Sequence, residues 1–164
     1  MTYFMTLYVD GGCRHRPASD TYGAAIVIFK GRHGKALSRW ALDLPTKEAD
    51  LPVTNQRAKL SAIISAQLLA LQQSLELSND PSIHIKIYSD SREAISCIKE
   101  RISRWRYNGW QNSRGEPVVN RDLLQQIDFL NTHLKALGEV KYIWISKFEN
   151  QEANDVCNRY IDNM

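Results

Sequence analysis

Two carboxylates in this chain have the spacing and setting to do chemistry. Tyr3 to Asp10 alternates Tyr3, Met5, Leu7 and Val9 against Phe4, Thr6, Tyr8 and Asp10, the period of a strand with two different faces. Ile83, Ile85 and Ile87 alternate in the same way toward Asp90. Each aspartate thus stands at the C-terminal end of a predicted strand. If those strands are parallel neighbours, the carboxylates lie side by side at one sheet edge, the place where open α/β sheets put their ligand sites. Two facing carboxylates repel unless a cation sits between them, and hard oxygen ligands suit Mg²⁺. Taken singly, an Asp in such a place is more often an ordinary turn or cap residue.

A second pattern lies between Lys99 and Arg121, where six basic residues stand against two acidic ones, a net +4 in a chain whose whole net charge is +3. Trp105, Tyr107 and Trp110 are interleaved with them. Basic residues mixed with aromatics suit a nucleic-acid backbone and its sugars. They suit a solvated surface over core tryptophans as well.

The elements that must position these groups follow from patterning. The chain has 164 residues, 43% hydrophobic and 24% charged, which suits one domain over residues 1–164 and excludes a mostly disordered chain. No apolar run approaches the ~20 residues that span a bilayer, and Met1 to Asp10 is too short for a signal peptide and reads as a strand. Cys13, Cys97 and Cys157 have no CxxC spacing and read as free thiols. Gly11-Gly12 is expected to end the first strand, with a loop from Arg14 to Asp20. Ala24 to Phe29 reads as a buried strand, Gly31 to Gly34 as a turn, Lys35 to Leu42 as the hairpin partner, and Pro45 to Pro52 as a loop.

Thr54 is expected to cap a helix carrying Leu60, Ile63, Ile64, Leu68, Leu71 and Leu75 on one stripe, ended by Asn79-Asp80-Pro81. Ser91 caps a helix to about Lys99, and a short second helix carries the basic stretch. Asn120 caps a helix with Leu123, Ile127, Leu130, Leu134 and Leu137, stopped by Gly138. Val140 to Ile145 is the fifth strand, and Ala153, Val156, Cys157, Tyr160 and Ile161 mark a last helix. The order β-β-β-α-β-α-α-β-α gives an α/β fold. Its mixed five-stranded sheet, three antiparallel strands followed by parallel ones, is flanked by helices.

At these residues the chain resembles the ribonuclease H family, and most of all its cellular type 1 members, over nearly its whole length. Leu7-Tyr8-Val9-Asp10-Gly11-Gly12-Cys13 is similar to the family's first strand and first catalytic Asp. Thr54-Asn55-Gln56-Arg57-Ala58-Lys59-Leu60 resembles the helix start that normally carries the catalytic Glu, and Ile87-Tyr88-Ser89-Asp90-Ser91 the fourth strand with the second catalytic Asp. Trp105-Arg106-Tyr107-Asn108-Gly109-Trp110 and Pro117-Val118-Val119-Asn120-Arg121-Asp122-Leu123 are similar to the substrate-binding helix and the turn after it. The resemblance implies a ribonuclease H-like fold and a hydrolase that cuts RNA in an RNA–DNA hybrid, using four carboxylates, two Mg²⁺ ions about 3.5–4 Å apart and a mobile His in a Gly-rich loop.

The departures fall on that chemistry. Lys59 occupies the position of the catalytic Glu, and an ammonium has three donors and no lone pair for a metal. Asn150-Gln151-Glu152-Ala153-Asn154 fits the start of the family's last helix with Asn154 in place of the fourth carboxylate; Asp155 is one residue, or ~100°, out of phase. Lys147-Phe148-Glu149 replaces the His-bearing loop. Asp10, Lys59, Asp90 and Asn154 sum to a charge of −1 where the family's set sums to −4. Lys59 is therefore expected between Asp10 and Asp90, in the place of a metal ion, and no cofactor is expected; Mg²⁺ or Mn²⁺ enters only if activity is retained.

For binding, the resemblance assigns Thr54, Asn55 and Gln56 to phosphate and sugar contacts, and Arg104, Arg106, Trp110 and Arg114 to the grip on a duplex, while Trp105 reads as core. The expected function is a catalytically inactive ribonuclease H-like protein that binds RNA–DNA hybrid or other duplex nucleic acid. The alternatives are a protein-interaction module that kept only the fold, and a residual metal-dependent endonuclease. With no targeting signal read, the cytoplasm or nucleus is the default location, and no membrane partner is expected.

Overall fold

The computed structural model describes residues 2–15, 21–31, 36–44, 47–48, 51–79 and 81–164. The Gly31–Gly34 turn beyond Gly31, and residues 16–20 of the Arg14–Asp20 loop, lie outside them. Five strands form one sheet: β1 (Thr2–His15), β2 (Thr21–Lys30), β3 (Ala36–Leu44), β6 (Ser82–Ser89) and β7 (Gly138–Trp144), in the order β3-β2-β1-β6-β7. The β1/β2 and β2/β3 pairs are antiparallel, and β1/β6 and β6/β7 parallel. In place of the predicted Pro45–Pro52 loop, β4 (Lys47–Glu48) and β5 (Leu51–Pro52) pair antiparallel. The helices are α1 (Asn55–Leu75), α2 (Arg92–Ser96), α3 (Ile102–Asn108), α4 (Arg121–Lys135) and α5 (Gln151–Asp162), with a π-helical segment, Cys97–Arg101, joining α2 to α3. No helix among the described residues is long and apolar enough to cross a membrane.

The continuous apolar run of β2 follows from burial on both sheet faces. Ala25, Val27 and Phe29 join the core beneath α1 and α4, while Ala24, Ile26 and Ile28 pack with Ala153, Cys157 and Ile161 of α5. All three cysteines are free thiols, Cys97 and Cys157 buried and Cys13 half-buried.

Three expectations are corrected by packing. Gly11-Gly12 does not end β1, which runs on through Cys13 in register with β2. A Cβ on Gly11 would overlap the backbone carbonyl of Ala58, so glycine here permits close approach of α1 to the strand. The predicted stripe of α1 holds in its first half, where Leu60, Ile63 and Ile64 are buried, but Leu68 and Leu75 are exposed, and Ala58, Ala62, Ala66 and Ala70, spaced by four, are fully buried beside it. The helix also stops at Leu75, ahead of Asn79. Gly138 is no helix stop but the first residue of β7, where a Cβ would overlap the carbonyl oxygen of Ile83 on β6.

Two caps form as expected. The Thr54 hydroxyl accepts from the Arg57 N–H at 3.1 Å and the Ser91 hydroxyl from the Ala94 N–H at 3.1 Å. Asn120 does flank α4, but in a left-handed conformation (φ 61°) with no side-chain cap bond; its Oδ1 accepts from Arg57 instead. Gly109 ends α3 in the left-handed region, as a C-terminal glycine should.

Candidate functional site

The site forms where the parallel pairing of β1 and β6 stops. Register matches Tyr8 to Tyr88, after which β6 ends at Ser89 and β1 continues against β2 alone. Asp10 therefore lies within its strand rather than at its end, yet just past the parallel ladder, beside Asp90 at the mouth of β6. The fully buried Ile85 and Ile87 anchor one approach, Leu7 and Val9 the other.

Lys59, in the first turns of α1, fills the gap between the two carboxylates. Its Nζ donates to Asp10 Oδ1 at 2.6 Å and to Asp90 Oδ1 at 2.8 Å. The two carboxylate side chains are each 6% exposed and the lysine 24%. Asn154 projects from α5 into the same cluster, its Nδ2 2.7 Å from Asp90 Oδ2, while Asp155 next to it is exposed. The ~100° turn per helical residue thus directs the amide inward and the carboxylate out.

Electrostatics follow from burial and pairing. Burial pushes the Asp10 carboxyl above the usual range in spite of Lys59 beside it. Burial also works to raise Asp90, but donors from Lys59, Asn154 and Asn150 together with the lysine charge hold it below. Lys59 is drawn down by burial and up by Asp10 and Asp90, and the carboxylates win, keeping the ammonium charged.

Asn150, Arg57 and Asp122 lie within the motifs that resemble the family, but their residue types do not announce the bonds they make. Asn150 is buried, and its Nδ2 donates to the Val9 carbonyl at 2.9 Å and reaches Asp90 Oδ2 at 3.5 Å, tying α5 to both strands. Before it, the Ser146 N–H donates to Glu149 Oε1 and the Glu149 N–H to Ser146 Oγ, each at 3.1 Å. This reciprocal S-x-x-E box, a signal present in the sequence, is how Lys147-Phe148-Glu149 turns β7 so briefly into α5. Arg57, buried near the start of α1, makes two bonds to Asp122 of α4 at 2.9 and 2.7 Å.

Several of the residues expected to bind nucleic acid have internal duties. Thr54 caps α1; Asn55 Oδ1 accepts from the Cys13 N–H at 3.0 Å; Gln56 Oε1 accepts from the Ser91 hydroxyl at 3.3 Å. Thr54 also borders a groove of about 530 Å³ with Arg57, Val119 and Arg121. Arg104 and Arg114 are exposed. Arg106 is clamped to Asp128 by three bonds of 2.7–3.0 Å, so its guanidinium serves an ion pair between α3 and α4. Trp110, left-handed at φ 60°, is half-buried and packs with Trp105 against the core, their ring centroids 6.1 Å apart.

Comparison with known proteins agrees with this architecture. The family model described as RNase H matches residues 3–163. Ribonuclease H of Clostridium botulinum is 30% identical over 156 residues, covering 93% of this chain and 89% of the relative. Among solved structures, the foamy viral protease-reverse transcriptase in complex with dsDNA superposes with a TM-score of 0.74 at 18% identity, covering 94% of this chain and 92% of that one. LC11-RNase H1 in complex with RNA/DNA hybrid superposes with a TM-score of 0.66 at 16% identity, covering 97% of each chain. At these identities the structural likeness establishes the shared fold.

Proposed function

The chain belongs to the ribonuclease H family, and from that premise we propose that it is a non-hydrolytic member that binds RNA–DNA hybrid or other duplex nucleic acid. The observation that carries the reading is the Lys59 ammonium seated 2.6 and 2.8 Å from Asp10 and Asp90. A pair of divalent cations on four carboxylates is what the family resemblance implies, and the residues present do not fit it. The ammonium offers donors where lone pairs are needed, Asn154 turns its amide nitrogen toward Asp90, and the net charge of the four positions is −1. Among the described residues no group of three or more His, Cys, Asp or Glu could hold a metal ion.

Binding to a duplex draws on the surface beside the cluster. Thr54 and Asn55 are exposed at the start of α1, Arg104, Arg114 and Arg121 are exposed cations, and Arg121 lines the same groove as Thr54. Recognition of this kind rests on groove shape, phosphates and 2′-hydroxyls, which need no base contacts. The complex of LC11-RNase H1 with RNA/DNA hybrid supports this partner class for the fold. A second reading, a protein-docking module, draws on one observation: Arg101 is paired with Glu93 at 2.6 Å and Arg106 with Asp128 at 2.7 Å, which thins the basic stretch.

The test is a titration of labelled RNA–DNA hybrid in Mg²⁺ and then Mn²⁺, with binding and cleavage read together at two salt concentrations. Binding without cleavage that weakens as salt rises is the expected result. Cleavage abolished by Asp10→Asn would mean an active nuclease, and neither binding nor cleavage would leave the docking reading.

A further inference from the structure

A second candidate site, with none of the carboxylate cluster in its lining, follows the β7 edge of the sheet. β7 is the last strand in the order, paired on one side only, with β6. A groove of about 410 Å³ runs there, touched by all four consecutive residues Val140, Lys141, Tyr142 and Ile143. Successive strand residues point to opposite faces. A groove that meets all four therefore follows the strand's open edge, where backbone N–H and C=O groups have no strand to pair with.

The remaining walls give the groove its character. Ile98 and Lys99 enter from the π-helical segment, and Asn131 and Lys135 from α4. Three lysines thus flank the edge, and among the described residues no carboxylate lines it. Lys86 on β6 is the register partner of Lys141. Like charges on directly neighbouring strand positions cost stability unless an anion offsets them. The acidic neighbour, Glu139, lies 3.3 Å from Lys141 but is shared with His84, in an exposed pair of little strength.

We propose that this edge docks an acidic, extended segment of a partner protein, added to the sheet as a sixth strand beside β7. Main-chain hydrogen bonds along Val140–Ile143 would supply the pairing, Ile98, Val140 and Ile143 the apolar contacts, and Lys99, Lys135 and Lys141 the charge that selects acidic side chains. The site is independent of the reading of Lys59, and the duplex surface takes no part in it.

The experiment uses the whole chain, ¹⁵N-labelled, with two synthetic end-capped peptides as probes, one alternating Glu and Val and the other Lys and Val. The Glu/Val peptide should shift the amide resonances of residues 140–143 and slow their hydrogen exchange, and the Lys/Val peptide should do neither. Lys135→Glu/Lys141→Glu, both exposed positions outside the Lys99–Arg121 stretch, should weaken the Glu/Val peptide on the order of tenfold while hybrid binding by the same variant stays unchanged. The proposal is overturned if the Glu/Val peptide leaves the β7 amides unmoved. It is also overturned if the double variant loses hybrid affinity instead, which would make the two lysines phosphate contacts.

Discussion

At Lys59 one ammonium meets two carboxylates that are almost fully buried, and removing it leaves those charges facing each other. Breaking a buried ion pair from one side costs about 3–5 kcal/mol, and the partial exposure of this lysine places Lys59→Met near the lower end. The loss should be measured by urea unfolding at pH 7 and should shrink on acidification. Without the ammonium, the already raised Asp10 moves further up, so the folded variant binds a proton the unfolded chain does not, and its stability rises as pH falls through that value. In the natural protein the signs differ by residue. Lys59, held above its ordinary value, stabilises below about pH 10.4 and loses that contribution as pH rises through its folded pKa. Asp90 and Asp122, held below theirs, stabilise above about pH 3.9 and lose it on acidification. A Lys59→Met variant as stable as the natural chain at pH 7 would remove the ion pair from the account.

Between elements, the contacts that aim the site are those of β1 against α1 and of α5 against both central strands. Gly11→Ala would drive a Cβ into the Ala58 backbone, where no rotamer change relieves the overlap. A loss of about 3 kcal/mol or more is expected by chemical denaturation; a variant within experimental error of the natural stability would show that α1 can shift away freely. The same contact explains what could and could not be read from the sequence. The five strands of the main sheet and the Thr54 and Ser91 caps are local patterns, the mixed sheet follows from how those strands are connected, and all appear in the structure; the β4/β5 pair and the π-helical segment were not in the pattern. The role of Gly11, the alanine ridge of α1 and the displaced Gly138 depend on what the chain folds against, so a glycine that admits a helix looks like one that ends a strand. Lys59, Asp10 and Asp90 could be brought together from aligned motifs. Asn150 stands in the motif that places Asn154, but its bonds to Val9 and Asp90 are not legible there, because a buried asparagine carries no period and no charge. Arg106 and Trp110 were legible as residue types but not as partners of Asp128 and Trp105.

Across the whole molecule, the proposed duplex surface and the β7 edge are separate places with different chemistry, one reading phosphates and sugars, the other an extended acidic chain. The duplex surface is exposed and cationic, so its energetics should be those of counterion release. Neutralising Arg104 and Arg114 together is expected to weaken hybrid binding at low salt and to flatten the slope of log affinity against log salt by about 0.9 for each phosphate no longer neutralised. Both side chains are exposed, so the thermal midpoint should hardly move. An unchanged slope would place the duplex elsewhere on the chain, and Arg106→Ala would then be judged by stability rather than by affinity, given its clamp to Asp128.

The central claim is that an internal ammonium holds the place where divalent cations would sit. Isothermal titration of Mn²⁺ into the natural protein, beside the Lys59→Glu/Asn154→Asp variant that restores both carboxylates, tests it most directly. The account predicts no strong binding by the natural chain and a new Mn²⁺ site in the variant. Strong two-site binding by the natural chain would contradict it.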